Sequence, residues 1–297
     1  MSKQLSLELS APARRGVVPV ASNRRMALSE WGPEDGVPVL FSPGAGTSGS
    51  LGFAVDALDR LGARLISVDR PGLGRSDPSP ERTLLDGAAD LRALAAALSL
   101  DRPAIVGFSQ GAPLALACAA TGAVSAVAVV SGTDELAAPE LRAAAPPMLL
   151  ERVQVAEADP VAAEAQFRGM TPAMLIAMVD GSPEVDLAVY RHPAFSAAFA
   201  AAVHEAFVQG PDGFARDALL AMRRWPFDAA EIRTPVHLWY GALDGSPFHS
   251  PDHGATLARR IPGAARTIID GAAGAILWTH GAEILTALLE ARRHAVT

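Results

Sequence analysis

The chain has 297 residues, half of them apolar and 19% charged, so it is long and apolar enough to bury the core of one large domain. Its formal net charge of −7, with no basic run to offset it locally, excludes an electrostatic surface for nucleic acid. The single cysteine, Cys118, excludes an internal disulfide and a cysteine-based zinc site.

No segment has the pattern of a leader or a membrane span. The N-terminal residues lack an apolar core of signal-peptide length. The most apolar stretch, residues 113–130, is broken by Thr121, Gly122 and Ser125, whereas a membrane span needs about 20 uninterrupted apolar residues. We therefore expect no membrane partner and a cytoplasmic location.

Apolar runs of strand length alternate with helical patterns in the first half of the chain. Predicted strands cover two segments within residues 16–31, joined by a turn at Asn23, and then residues 37–41, 63–69, 103–108 and 125–131. Predicted helices lie near residues 51–62, over residues 83–99, and from the strand at 103–108 to about residue 121. Strands that alternate with helices of this length indicate βαβ units and a parallel sheet.

The alternation stops near Asp134. From residue 137 to residue 225 the pattern is helical, with Pro and Gly breaks. Strand patterns return at residues 235–241 and 265–270, with helices near residues 253–261 and 280–293. We predict a sheet domain interrupted by about 90 helical residues that add no strand to the sheet, an insertion too long for an ordinary loop.

The strongest chemical signal is the segment Gly107-Phe108-Ser109-Gln110-Gly111. It matches the pattern G-x-S-x-G, follows a buried strand and precedes a helix, which is the context of a nucleophile elbow. So tight a turn needs Gly or a very small residue on each side of the serine. Ser109 would then project from the sheet edge at a helix N-terminus, where the helix dipole favours developing negative charge.

A second glycine-rich segment offers a competing interpretation. Residues 44–49 read GAGTSG and match G-x-G-x-x-G, and Asp69 follows 20 residues after Gly49, as in a dinucleotide-binding fingerprint. Two predicted strands precede the strand at residues 37–41 that this segment follows, however, whereas the fingerprint usually follows the first strand. A glycine-rich loop here can equally present main-chain N–H groups to an oxyanion.

Five segments together resemble the α/β-hydrolase family, in order and spacing: PVLFSPGAG at 38–46, DRPGLGRSD at 69–77, GFSQG at 107–111, WYGALD at 239–244 and LARRIPGAA at 257–265. The resemblance implies a mostly parallel eight-stranded sheet flanked by helices. It makes residues 1–134 and 229–297 the core and residues 135–228 a helical cap. It also implies a Ser109 nucleophile, an oxyanion hole formed by the N–H groups of Ala45 and Gln110, and no metal or organic cofactor.

The acid and the base follow from the same resemblance. Asp244 stands where the family places its acid, and Asp134, after an earlier strand, is the alternative. The position of the family's histidine falls instead on Gly274 or its neighbour Ala275. Adding a histidine at either position is therefore expected to raise activity.

Three possibilities are left for the base. The segment after Asp244 is about two residues longer than usual in the family and contains His249, which could reach the pocket. His280, at the start of the last helix, is the second possibility, and the third is that no histidine serves. Without an imidazole, a serine stays a weak nucleophile near neutral pH.

The preferred function is hydrolysis of a small, hydrophobic ester, thioester, lactone or amide through an acyl-enzyme. The alternative keeps the fold without a full triad, as a lyase, isomerase, cyclase or ligand-binding protein. A nucleotide-binding oxidoreductase is the minor alternative. The expected partner is a small-molecule substrate, and a homo-oligomer is possible.

Overall fold

A computed structural model describes residue 7 and residues 9–296. Within this part the strands are β1 (Arg14–Pro19), β2 (Arg25–Trp31), β3 (Val37–Ser42), β4 (Ala63–Val68), β5 (Ala104–Phe108), β6 (Val127–Val130), β7 (Val236–Gly241) and β8 (Ala265–Ile269). They form one sheet in the spatial order β1-β2-β4-β3-β5-β6-β7-β8. Strand β2 runs antiparallel to β1 and β4, and the other neighbours are parallel. The prediction of a mostly parallel, eight-stranded sheet is confirmed.

The helices cover both faces of this sheet. They are α1 (Leu58–Leu61), α2 (Leu84–Ala97), α3 (Ala112–Ala120), α4 (Pro147–Ala158), α5 (Pro160–Phe167), α6 (Pro172–Met178), α7 (Glu184–Tyr190), α8 (Pro193–Ala206), α9 (Asp212–Met222), α10 (Ala255–Arg260), α11 (Ile276–Thr279) and α12 (Gly281–Val296). Leu91 of α2 and Ala115 of α3 pack on one face, and Leu58 of α1 and Leu285 of α12 on the other. Because both faces are covered, β5 and β6 are apolar at every position and wholly buried.

The predicted helix near residues 51–62 is wrong in length. The structure has one 3₁₀ turn at Val55–Ala57 followed by the single turn α1. The reason lies in the preceding residues: a Cβ on Gly52 would come within 3.0–3.2 Å of the Trp31 ring, and Ala54 has a φ of +47°. The chain passes too close to the sheet here, and in the wrong conformation, to start a helix earlier.

Helices α4–α9, which we call the inserted helices, lie between β6 and β7 in the sequence. Every regular element described from residue 139 to residue 222 is helical, so this stretch adds nothing to the sheet. Buried Glu135 joins both ends of the insertion, because it accepts a hydrogen bond from the Trp225 N–H at 2.9 Å and pairs with Arg224 and Arg260. None of the helices in the described part of the chain is both long and apolar enough to cross a membrane.

Candidate active site

The turn after β5 presents Ser109 to the edge of the sheet. Ser109 begins a 3₁₀ turn that leads directly into α3, and its φ is +49°, in the left-handed region. A Cβ on Gly111 would overlap the Ser42 carbonyl oxygen, and one on Gly107 would lie 2.7 Å from the Ala115 Cβ. Both neighbouring positions therefore need glycine, as the sequence predicts.

His249 contacts both Ser109 and Asp244. Its Nε2 lies 2.9 Å from the Ser109 Oγ, and its Nδ1 lies 2.8 and 3.0 Å from the two Asp244 carboxylate oxygens. The side chains of His249 and Asp244 are only 11% and 2% exposed, so water competes little for these hydrogen bonds. The three side chains form one continuous hydrogen-bonded chain from carboxylate to hydroxyl.

The electrostatics suit an ionised carboxylate at Asp244. Burial pushes the pKa of Asp244 up, but the adjacent His249 imidazole, its hydrogen bond and the Ser246 N–H outweigh burial, so the pKa lies below its usual value. An ionised Asp244 can accept the Nδ1 proton of His249, and in that tautomer Nε2 can accept the proton of Ser109.

The position that corresponds to the family's histidine lies against this same imidazole. A Cβ on Gly274 would be 3.2 Å from the His249 Cε1 and 3.4 Å from the Asp244 Oδ1. The ring of His249 thus reaches, from another loop, the space that a side chain at residue 274 would enter. The imidazole would have to shift by a few tenths of an ångström to admit this Cβ, so we expect Gly274→His to lower activity rather than raise it.

Asp186 of α7, which the sequence did not single out, is bound to the loop at Gly274. Its carboxylate accepts the N–H groups of Gly274 and Ala275 at 2.8 and 2.9 Å. Burial raises the pKa of Asp186, and it outweighs the two N–H donors, which lower the pKa. A histidine at residue 274 would also crowd this contact, since its Cβ would lie 3.3 Å from an Asp186 oxygen. No sequence motif marks Asp186, because the pairing depends on how the inserted helices fold back.

The alternative base and the alternative acid lie elsewhere. His280 is hydrogen-bonded to the Thr279 hydroxyl through its Nδ1 and is not among the residues that line the cavity at Ser109. Asp134 does follow β6, but its carboxylate accepts from the Ser250 hydroxyl at 3.0 Å and from the Glu135 N–H. The structure therefore brings His249 and Asp244, rather than His280 and Asp134, to Ser109.

The glycine-rich loop after β3 lies beside Ser109. A Cβ on Gly44 would be 3.6 Å from the Ser109 Cβ, and Ala45 and Gln110 both line the cavity. The Gln110 N–H is in the first turn of its helix, where main-chain donors have no intrahelical acceptor. Their role as an oxyanion hole stays a prediction.

Arg70 fixes the shape of this loop. Its guanidinium donates to the carbonyl oxygens of Pro43 and Gly44, and it pairs at 2.7 Å with Asp217 of α9, which also pairs with Arg82. Burial raises the pKa of Asp217, but the two arginines outweigh burial and hold it below its usual value. An inserted helix is thereby connected to the loop that carries Ala45.

Asp69 is unavailable for the role that a dinucleotide site would give it. It is 5% exposed, and its two carboxylate oxygens accept the N–H groups of Gly49 at 2.6 Å and Arg75 at 2.9 Å. It therefore ties the glycine-rich segment to the DRPGLGRSD segment.

Among the described residues, no group of three or more His, Cys, Asp or Glu side chains could hold a metal ion.

A cavity of about 660 Å³ opens above Ser109, between the sheet edge and the inserted helices. Most of its wall is apolar, and its polar lining residues are Thr47, Ser109, Gln110, Thr133, Arg152, Ser182, Asp186, Asp244, Ser246 and His249. The apolar wall comprises Phe41, Leu51, Phe108, Phe167, Met170, Leu175, Met178, Val179, Tyr190, Phe199, Phe214, Met222, Phe248 and Trp278.

Asp134→Asn is expected to change how stability depends on pH. Burial raises the pKa of Asp134 to about 6, from an ordinary value of 3.8. A raised pKa means that the native state holds this proton more tightly than the unfolded chain. The protonated Asp134 carboxyl therefore makes its full contribution to the free energy of unfolding below pH 3.8, and this contribution is lost as the pH rises through 6. Asparagine carries no charge at any of these pH values.

The unfolding free energy of Asp134→Asn minus that of the wild type should thus rise between pH 4 and pH 7, by at most about 3 kcal/mol. Urea titrations of both proteins at each pH measure this difference, and titratable groups shared by the two proteins cancel in it. A difference that stays flat over this pH range would contradict the buried, proton-holding carboxyl described here.

The comparisons with known proteins concern the fold. A family model described as alpha/beta hydrolase fold matches residues 37–281. The proline iminopeptidase of Neisseria gonorrhoeae is 32% identical over 122 residues, 38% of this chain and 38% of that protein. A non-heme chloroperoxidase of Streptomyces lividans is 36% identical over 103 residues, 32% of this chain and 36% of that protein. The matches thus span little more than a third of these curated relatives.

The crystal structure of a bromoperoxidase from Bacillus anthracis superposes with a TM-score of 0.70 at 20% identity, over 94% of this chain and 100% of that one. At that identity the likeness speaks for the fold alone. The family model, in contrast, covers most of the chain from β3 to the start of α12. The protein therefore belongs to the alpha/beta hydrolase fold family.

Proposed function

We propose that this protein is a serine hydrolase that cleaves a small ester, thioester, lactone or amide with an apolar acyl group. Ser109 is the nucleophile, His249 the general base and Asp244 the acid. The observation that carries the proposal is the hydrogen-bonded chain from Asp244 through His249 to the Ser109 Oγ, in a cavity whose wall is mostly apolar.

The geometry supports the two half-reactions of acyl transfer. In the first, the Ser109 Oγ bonds to the substrate carbonyl carbon while its proton passes to the His249 Nε2, and the N–H groups of Ala45 and Gln110 stabilise the oxyanion. The imidazolium, held by Asp244, then protonates the leaving group as its bond to carbon breaks. In the second half-reaction, water attacks the acyl-enzyme by the same path, giving the free acid and restoring the serine.

We further propose that residues 135–228 act as a cap that supplies the acyl site. Among the apolar side chains of this segment, Met170, Leu175, Met178 and Phe199 line the cavity. Phe195 is instead buried in the packing of the inserted helices, and Met174 is half-exposed. Most of the wall is apolar, although Arg152, Asp186 and Ser182 also line it, and this favours an apolar acyl chain or ring.

The case for a non-hydrolytic enzyme or a ligand-binding protein rested on the lack of an imidazole near the nucleophile. With the His249 Nε2 at 2.9 Å from the Ser109 Oγ, that argument no longer holds. The case for an oxidoreductase rested on the GAGTSG segment at residues 44–49 together with Asp69, and the carboxylate oxygens of Asp69 accept the main-chain N–H groups of Gly49 and Arg75.

A panel of p-nitrophenyl esters tests the proposed substrate class. We expect kcat/KM to rise from acetate to butyrate to hexanoate, by about fourfold for each methylene that the apolar wall buries. The Ser109→Ala protein gives the background rate for each ester. A panel without turnover above that background, or with acetate as the best substrate, would contradict the proposed acyl site.

A further inference from the structure

His249 lies in a segment that has no helix or strand of its own, from residue 245 to residue 254. Its ring is hydrogen-bonded to Asp244 and Ser109, but those contacts do not fix the main chain that carries it. A base must be held in a productive geometry, since a misplacement of 1 Å can lower a rate by about 100-fold. Something else must therefore hold this segment against the nucleophile.

Contacts on both sides of His249 supply that restraint. The Thr133 hydroxyl donates to the Phe248 carbonyl oxygen at 2.9 Å, and the Ser250 N–H donates to the Gly132 carbonyl oxygen at 2.9 Å. The residues immediately before and after His249 are thus bound to two consecutive residues of the turn after β6.

Thr133 also contacts the main chain of the nucleophile. Its N–H donates to the Ser109 carbonyl oxygen at 3.0 Å, so one residue joins the main chain of Ser109 to that of Phe248. Thr133 and Ser250 are 2% and 3% exposed, which keeps water from replacing these bonds. The turn itself is tightly packed, because a Cβ on Gly132 would overlap the Val129 side chain and lie 2.8 Å from the Ala112 Cβ.

We propose that the turn after β6 positions the base, with Thr133 as the positioning residue that sets the distance between the His249 imidazole and Ser109. The inference rests on the proposed function, since it needs His249 to be the base. Thr133 acts through His249 rather than on the reacting atoms. The turn after β6 contains Asp134, the alternative acid. Instead of supplying the acid, this turn binds the segment that carries His249.

The test compares Thr133→Val, which removes the hydroxyl but keeps the shape, with Thr133→Ser, which keeps the hydroxyl. For a p-nitrophenyl ester we expect Thr133→Val to lower kcat by about 10- to 100-fold with KM within about twofold of the wild type. Thr133→Ser should keep kcat within about threefold. Thr234→Val is the matched control, since its hydroxyl donates to the Ala119 carbonyl oxygen away from the site. Melting temperatures of all variants check that the fold is intact.

Thr133 also lines the cavity, so a loss of rate could come from a lost substrate contact. The double variant Thr133→Val/His249→Ala separates the two causes. If Thr133 acts through the base, the double variant turns over as slowly as His249→Ala alone. If Thr133→Val lowers the rate equally in both backgrounds, or does not lower it in the wild type, the positioning role is overturned. If His249→Ala itself keeps wild-type activity, the proposed function fails, and this inference with it.

Discussion

Ser109→Ala is expected to lower kcat for p-nitrophenyl esters by at least about 10⁴-fold and to leave the fold unchanged. The loss is large because removing the nucleophile leaves only binding and the oxyanion donors to act on the substrate. Alanine keeps the Cβ, so the left-handed φ of +49° at this turn gains no new strain. Initial rates with the preferred ester, together with a thermal melt, check both parts of the prediction.

Ser131→Ala is the matched control. Ser131 follows β6 much as Ser109 follows β5, is buried and has a φ of +43°. Its hydroxyl has no hydrogen-bond partner within the described residues. This variant should therefore keep activity within about twofold of the wild type. Wild-type turnover by Ser109→Ala would show that another group attacks the ester.

The second large effect concerns the base. His249→Ala is expected to lower kcat by about 10²- to 10⁴-fold, which is the usual contribution of general-base assistance. His280→Ala, the same change at the other candidate, should stay within about twofold, because His280 does not line the cavity. Steady-state rates of the two variants decide which histidine is the base. A larger loss of kcat in His280→Ala than in His249→Ala would assign the base to His280.

Gly274→His tests whether the base can be moved back to the loop after β8. Alone, the substitution should lower activity, since its Cβ would lie 3.2 Å from the His249 ring. In the His249→Ala background that ring is gone, and a Cβ at residue 274 lies 3.4 Å from the Asp244 Oδ1. We expect the double variant to regain at least about tenfold over His249→Ala. A double variant no faster than His249→Ala would mean that the space at residue 274 cannot hold a working imidazole.

The sheet and the turn that carries Ser109 could be predicted from the sequence because both depend on short segments. Strands such as β5 and β6 are apolar at each position, and the glycines around Ser109 are required by contacts within one turn. The helix predicted near residues 51–62 shows where prediction from short segments ends. The residues have an apolar pattern typical of a helix. The close approach of the chain to Trp31 prevents a full-length helix, and this tertiary effect is not visible in any local pattern.

The base could be narrowed to candidates but not assigned from the sequence. His249 was one of three open possibilities, because its distance to Ser109 depends on an irregular segment bound to the turn after β6. The contacts of Thr133 with Phe248 and of Asp186 with Gly274 join residues more than 80 positions apart in the chain, and neither Thr133 nor Asp186 lies in a recognisable motif. The extra length of the segment after Asp244 was the one signal that pointed to His249.

Labelling with a fluorophosphonate tests the central claim, that His249 activates Ser109, most directly. The reagent phosphonylates an activated serine with loss of fluoride, and digestion followed by mass spectrometry locates the adduct. The account predicts one adduct, on the peptide that contains Ser109, absent in Ser109→Ala and formed at least about 100-fold more slowly in His249→Ala. An adduct on another residue, or an unchanged labelling rate in His249→Ala, would contradict it.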